Sequence, residues 1–99
     1  MTNNLRQEYL ITYDIVESKI RSKLFGELEK IGLKSIQKSV FWGYLSSAEV
    51  KGIERFCVDV IGVNDKLILT KTNFNLKGNS FYLGYNKEDF TDWDYCYVI

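Results

Sequence analysis

Near the start of the chain, apolar residues first follow the two-residue period of a strand and then the three-to-four-residue period of a helix. Residues 9–15 are β-branched and aromatic, which is typical of a strand whose side chains alternate between two faces. Apolar residues then recur every three or four positions from Ile20 to Ile31, the stripe of an amphipathic helix. Ser18 is placed to cap the start of this helix, and Gly32 is placed to end it.

The middle of the chain predicts a hairpin, a second helix and a fourth strand. Residues 33–37 and 40–45 read as two strands around a short turn. Residues 46–49, Ser-Ser-Ala-Glu, form a capping box, in which a serine hydroxyl and the glutamate three residues later satisfy free backbone amides. They open a helix that ends before Gly62, and residues 65–72 follow as a strand.

This β-α-β-β-α-β order predicts an α+β fold of the ferredoxin-like kind. Two helices cover one face of a four-stranded antiparallel sheet. The first strand is partly apolar on both faces, so we expect the helix-free face to be covered too, most simply by a twofold partner. Residues 1–99 are one domain with a core of about residues 8–73.

The C-terminal extension, residues 74–99, is predicted in four pieces. Residues 74–79 have the chemistry of a loop, and residues 80–85 predict a short strand. Residues 88–94 are acidic with interleaved aromatics, and residues 95–99 predict an additional strand.

Composition limits the class of protein. A chain that is 45% hydrophobic and 15% aromatic is too apolar for disorder. No run approaches the roughly 20 apolar residues of a membrane span, and residues 1–8 lack the apolar stretch of a signal peptide. We therefore expect a cytoplasmic protein without membrane contact.

The chain contains no histidine, and Cys57 and Cys96 lie far apart in sequence. One chain thus lacks the ligands for a zinc site and the base of the usual nucleophilic triads. Cys57 is predicted to be a small buried hydrophobe on the second helix. Any hydrolysis must use carboxylates, a metal ion, or both.

Charge is balanced overall but unevenly distributed. The formal net charge is zero, which argues against a general polyanion binder. Residues 1–51 hold eight basic and six acidic residues, whereas residues 52–99 hold five and seven. A nucleic-acid surface, if present, is therefore expected on the first half.

Asp14 is the only carboxylate within the first strand and lies near its end. One carboxylate is too little for a firm Mg²⁺ site, but a twofold dimer would supply the same aspartate twice. Two copies with waters could hold one Mg²⁺ and activate water for phosphodiester cleavage. The alternative is that Asp14 organises the turn through local hydrogen bonds.

Basic and polar residues around the first helix and the hairpin are the other candidates. Lys19, Arg21 and Lys23 recur at every second position, and Lys38 lies beyond the helix. They can contact phosphates, or they can be a solvated helix surface with Glu–Lys pairs.

The stretch from residue 37 to residue 42 is the most distinctive in the chain. Gln37 and Ser39 can bond backbone, metal-bound water or phosphate. Phe41 and Trp42 could stack bases, but their apolar surroundings favour core and dimer-interface positions.

Residues 9–72 resemble the CRISPR-associated protein family two. Residues 13–15, Tyr-Asp-Ile, resemble its strand-ending aspartate motif, and residues 37–41 resemble its Q-x-S-V-F element. The basic positions after the aspartate and the helix end also match. Trp42 departs from the family, in which many members carry a polar or acidic residue there.

The resemblance implies a ferredoxin-like homodimer that bridges integrase subunits and braces prespacer DNA in spacer acquisition. It also implies a Mg²⁺-dependent endonuclease, acting on single-stranded RNA or DNA, with Asp14 as catalytic residue and ligand of a shared Mg²⁺. An adaptor without nuclease activity and a related ribonuclease toxin are the alternatives. The implied nucleic-acid contacts are Lys19, Arg21, Lys23 and Lys38, and the implied residues supporting the site and dimer are Tyr13, Gln37, Ser39 and Phe41.

Overall fold

The computed structural model describes residues 5–74 and 80–90, which form a four-stranded antiparallel sheet and two α-helices. The order βαββαβ confirms the sequence prediction, and the strand boundaries differ from it by no more than two residues. The elements are β1 (Gln7–Asp14), α1 (Ser18–Lys30), β2 (Lys34–Gln37), β3 (Val40–Leu45), α2 (Ser47–Val60), β4 (Lys66–Lys71) and a 3₁₀ helix (Lys87–Phe90).

The strand order is β2-β3-β1-β4, so the first strand lies inside the sheet. β1 pairs antiparallel with β3 and β4, and Ile11 stands opposite Phe41 on one side and Leu69 on the other. β2 pairs with β3 through the two-residue turn at Lys38 and Ser39. This is the ferredoxin-like arrangement.

The helix ends follow the sequence prediction, with one exception. Ser46 and Glu49 form the predicted capping box of α2: the Ser46 hydroxyl accepts from the Glu49 amide at 3.2 Å, and the Glu49 carboxylate accepts from the Ser46 amide at 2.9 Å. Gly32 follows α1 with a left-handed φ of 95°, as predicted. Ser18 as the cap of α1 is wrong, because Glu17 holds the extended cap position and Ser18 is already helical.

The hydrophobic core lies between the sheet and the two helices. Cys57 is 7% exposed and belongs to this core, which confirms it as a small buried hydrophobe, and burial raises the pKa of its thiol. No helix within the described residues is long and apolar enough to cross a membrane. The core consists of Ile11, Tyr13, Ile15, Leu24, Leu28, Leu33, Phe41, Leu45, Ile53 and Cys57.

The chain itself covers part of the helix-free face, which the sequence analysis assigned wholly to a partner. Trp42 is 0% exposed, and its ring meets that of Phe90 edge to face with centroids 5.1 Å apart. The physical reason is that aromatic residues after β4 fold back over β3. The rings of Phe74, Tyr82 and Tyr85 also contact Phe90.

The buried Glu8 carboxylate joins the segment that follows β4 to the sheet. The Glu8 carboxylate accepts hydrogen bonds from Trp42 Nε1 at 2.9 Å, the Thr72 hydroxyl at 2.7 Å and the Phe74 amide at 2.7 Å. Glu8 is only 8% exposed, and burial of a carboxylate requires such donors. The start of β1 is thereby tied to β3 and to the chain beyond β4.

The short strand predicted over residues 80–85 is wrong. Its residues pair with no strand within residues 5–74 and 80–90: Gly84 has a left-handed φ of 87°, and the Tyr85 hydroxyl donates to the Ile36 carbonyl at 2.8 Å. The segment packs through side chains, and its 3₁₀ helix places Phe90 on Trp42. The predicted strand over 95–99, most of the predicted loop over 74–79 and the end of the acidic segment lie outside the described residues.

Candidate nucleic-acid site

Asp14 is the last residue of β1, and its side chain is exposed on the helix-free face. Strand alternation turns the preceding residue, Tyr13, into the core. In the β1–β4 register, Asp14 stands opposite Lys66. The carboxylate therefore lies on open sheet surface, next to a cation-bearing position.

Two side chains hold the loop that follows Asp14. Arg21 Nη1 donates to the Ile15 carbonyl at 2.7 Å. Asp65 accepts from the Val16 amide at 2.9 Å through Oδ1 and from the Gly62 amide at 2.8 Å through Oδ2. The loop is thus anchored to α1 on one side and to the α2–β4 connection on the other.

The two backbone donors make Asp65 sensitive to pH. The Val16 amide, followed by the Gly62 amide, lowers the pKa of the Asp65 carboxyl below its usual range. Because the folded-state pKa is the lower one, the ionised carboxylate stabilises the fold above the unfolded-state value of about 4. That stabilisation is lost as pH falls through the folded-state pKa.

We therefore expect Asp65→Asn to lower the melting temperature at neutral pH, with the difference from the wild type closing below about pH 4. Thermal unfolding across this range measures it, and faster hydrogen exchange of the Val16 amide should accompany it. Asp59→Asn, at an exposed position of α2, is the matched control. A difference that stays constant with pH would contradict the role of the ionised carboxylate.

A cavity of about 310 Å³ opens between α1 and the β2–β3 turn. Residues from β1, α1, β2 and the turn meet there, and none of them is acidic. The lining residues are Tyr13, Arg21, Ser22, Phe25, Ser35, Lys38 and Ser39.

Aromatic rings back this cavity. Phe25 meets Phe41 edge to face at 5.1 Å, and Tyr13 stacks on Phe41 at 6.4 Å. Burial raises the pKa of the Tyr13 phenol, and the nearby Arg21 charge offsets only part of the rise. The phenol therefore keeps its proton at neutral pH and can act as a hydrogen-bond donor.

The turn that carries Lys38 is fixed by its backbone. Ser39 adopts a left-handed φ of 64°, which is uncommon for a residue with a side chain. Its carbonyl accepts from the Tyr13 amide at 3.1 Å, one position beyond the last paired residues of β1 and β3. Lys38 is therefore held at the cavity edge.

The structure brings together part of the predicted site. Tyr13, Arg21, Lys38 and Ser39 share the cavity, whereas Asp14 lies on the opposite side of β1. The remaining predicted residues do not line it. Lys19, Lys23 and Gln37 are exposed, and Phe41 is buried behind the aromatic wall.

Sequence reasoning missed Ser22, Phe25 and Ser35 in the cavity lining. A signal for Phe25 was present, because it follows Arg21 by one helical turn and lies off the apolar stripe of α1. An aromatic residue on the same side as a cation, away from the core stripe, is a candidate for a binding surface.

The described residues hold no group of three or more side chains able to ligate a metal. Asp14 provides one carboxylate on an accessible surface. Mg²⁺ sites in proteins often use one or two carboxylates, with waters and substrate phosphates completing the shell. Asp14 fits that pattern as one ligand, and a second copy of the chain would supply another.

The fold and site define a small ferredoxin-like protein with an exposed strand-ending carboxylate and a basic, aromatic-walled cavity. Residues 7–78 match the family model of CRISPR associated protein Cas2. The chain is 42% identical over 90 residues to CRISPR-associated endoribonuclease Cas2 1 of Francisella tularensis subsp. novicida, covering 91% of this chain and 93% of the relative. This chain belongs to the Cas2 family.

One further curated protein and two solved structures are also similar to this chain. CRISPR-associated endoribonuclease Cas2 2 of Pyrobaculum aerophilum is 34% identical over 65 residues, which are 65% of this chain and 71% of the relative. The hypothetical protein TT1823 of Thermus thermophilus has a TM-score of 0.69 at 26% identity, over 82% of this chain and 94% of its own. Streptococcus pyogenes Cas2 has a TM-score of 0.59 at 22% identity, over 79% of this chain and 100% of its own, and shares the fold.

Proposed function

We propose that the chain acts in CRISPR spacer acquisition as a cytoplasmic homodimer that bridges integrase subunits, braces prespacer DNA and carries Mg²⁺-dependent endoribonuclease activity. The observation that carries the nuclease part is the exposed Asp14 carboxylate at the end of β1, in a chain 42% identical to a protein named as an endoribonuclease. Membership of the Cas2 family favours this role over that of a ribonuclease toxin.

The open half of the helix-free face supports the homodimer. The described part of the C-terminal extension packs on Trp42, over β3, whereas Ile68 on β4 remains 60% exposed. Thr12, half-buried, stands opposite Ile68 in the register, and Asp14 is the next residue on the same face. A second copy docked on this open part of the sheet, around Ile68, would bring two Asp14 carboxylates toward each other.

In the proposed reaction Asp14 would hold the Mg²⁺, and Arg21 and Lys38 would hold phosphates of the same strand. When bound, Mg²⁺ supplies Lewis-acid activation of the phosphodiester and of water. The chain itself positions the carboxylate, because Arg21 and Asp65 fix the loop beside it. The cations supply sequence-independent attraction to the nucleic-acid backbone.

We expect the purified chain to cleave single-stranded RNA in the presence of Mg²⁺ and to lose this activity when EDTA removes the metal. The reason is that the proposed reaction uses Mg²⁺, held by Asp14, to activate both the phosphodiester and water. Fragment analysis on gels measures cleavage, and excess Mg²⁺ added after EDTA should restore it. Undiminished cleavage in EDTA would contradict the metal-dependent mechanism and leave the adaptor role standing.

A further inference from the structure

We propose that the cavity between α1 and the β2–β3 turn binds one unstacked nucleotide, with its phosphate on Arg21 and Lys38 and its base against Phe25. The proposal rests on the proposed function for its ligand class, nucleic acid, and adds a defined site for a single nucleotide. A volume of about 310 Å³ is at the lower end of the range for small-molecule sites. This volume is enough to hold one nucleotide.

The cationic side of the cavity is preorganised. Arg21 is half-buried, and one of its N–H groups is fixed on the Ile15 carbonyl at 2.7 Å. A guanidinium has five N–H donors, so others remain to bind phosphate oxygens in a fixed direction. Lys38 is exposed at the edge, on a turn held by the bond between Ser39 and Tyr13. Two positive charges without a lining carboxylate match a phosphate monoester.

The aromatic side supplies a surface for a base. Phe25 is 38% exposed, although its ring is fixed by edge-to-face contact with Phe41 at 5.1 Å. Stacking on an aromatic ring accepts any base, because every base has a π face. The hydroxyls of Ser22 and Ser35 line the same cavity and can bond the base edge or the ribose.

Titration with uridine 5′-monophosphate, followed by NMR and calorimetry, tests this pocket without any cleavage. We expect Phe25→Leu to weaken binding by about five- to tenfold through lost stacking. Lys38→Gln should weaken it about three- to tenfold through one lost charge-assisted hydrogen bond. Phe81→Leu and Lys51→Gln, at exposed positions outside the cavity, are matched controls that should bind normally. Equal binding by the two cavity variants and the controls would overturn the proposal.

Two further ligands test whether both parts of the pocket are needed, and one further variant distinguishes failure of the pocket from failure of the proposed function. Uridine and inorganic phosphate should each bind at least about tenfold more weakly than the nucleotide, and equal binding by either would overturn the two-part site. Asp14→Asn should bind the nucleotide normally, because Asp14 lies on the other side of β1. A wild-type chain that binds the nucleotide but does not cleave RNA would count only against the proposed function, and a wild-type chain that cleaves RNA without binding the nucleotide would count only against the pocket.

Discussion

Replacing Asp14 with asparagine should lower Mg²⁺-dependent cleavage of single-stranded RNA by about a hundredfold or more, the scale of losing one group that acts at the reacting phosphate. Asparagine keeps the size of the side chain and removes the charge that binds a hard cation. Because Asp14 is exposed at the end of β1 and accepts no hydrogen bond among those described, the substitution should leave the fold intact. Cleavage rates under single-turnover conditions measure the effect, with thermal unfolding as the test of folding.

Asp59→Asn, at an exposed position of α2, is the charge-matched control and should cleave RNA at the wild-type rate. Binding to duplex DNA should survive Asp14→Asn, because the cations of the cavity lie on the other side of β1. Spacer acquisition that persists in the Asp14→Asn strain would separate the adaptor role from the nuclease. Wild-type cleavage by Asp14→Asn would show that another group carries the reaction.

Replacing Phe90 with alanine should destabilise the protein by about 3 kcal/mol, at the low end of the range for a buried aromatic residue. The Phe90 side chain is 2% exposed, and within the described part of the chain its ring contacts those of Phe74, Tyr82, Tyr85 and Trp42. We place the effect at the low end because Phe90 belongs to a 3₁₀ helix outside the four-stranded sheet, so its loss removes ring packing but no strand pairing. Urea unfolding followed by far-ultraviolet circular dichroism measures the change.

The same substitution should expose Trp42 and move its fluorescence to longer wavelength. The measurement needs a Trp93→Phe background, because the chain has two tryptophans. Phe81→Ala is the control, since Phe81 is 86% exposed and its loss should cost little. Unchanged Trp42 emission in Phe90→Ala would show that the segment does not shield the ring in solution.

The core elements could be predicted because their information is local. The stripe of α1 and the capping box at Ser46 depend on residues at most one or two turns apart, and both are confirmed. Alternation along β1 likewise placed Tyr13 and Asp14 on opposite faces, as the structure does.

What sequence could not predict depends on distant contacts. Residues 80–85 have strand-like composition, but a strand needs a pairing edge, and these residues pack side chains on Phe90 instead. Trp42 was expected at a core or dimer-interface position, but nothing local shows that Phe90 covers it. The cavity itself was not predicted. Arg21 and Lys38 were chosen from sequence by their charge, whereas Phe25 lines the cavity only when the hairpin folds beside α1.

The central place of β1 has a consequence for synthesis on the ribosome. The first strand made lies between β3 and β4, so its backbone is fully paired only after residues 66–71 have emerged. The hydrogen bonds of Glu8 form later still, because two of their donors, on Thr72 and Phe74, are 64 and 66 residues away in sequence. Closing loops of that length is entropically costly and is completed late. The nascent chain therefore carries β1 without its β4 partner until residues 66–71 have emerged, and the sheet is completed late.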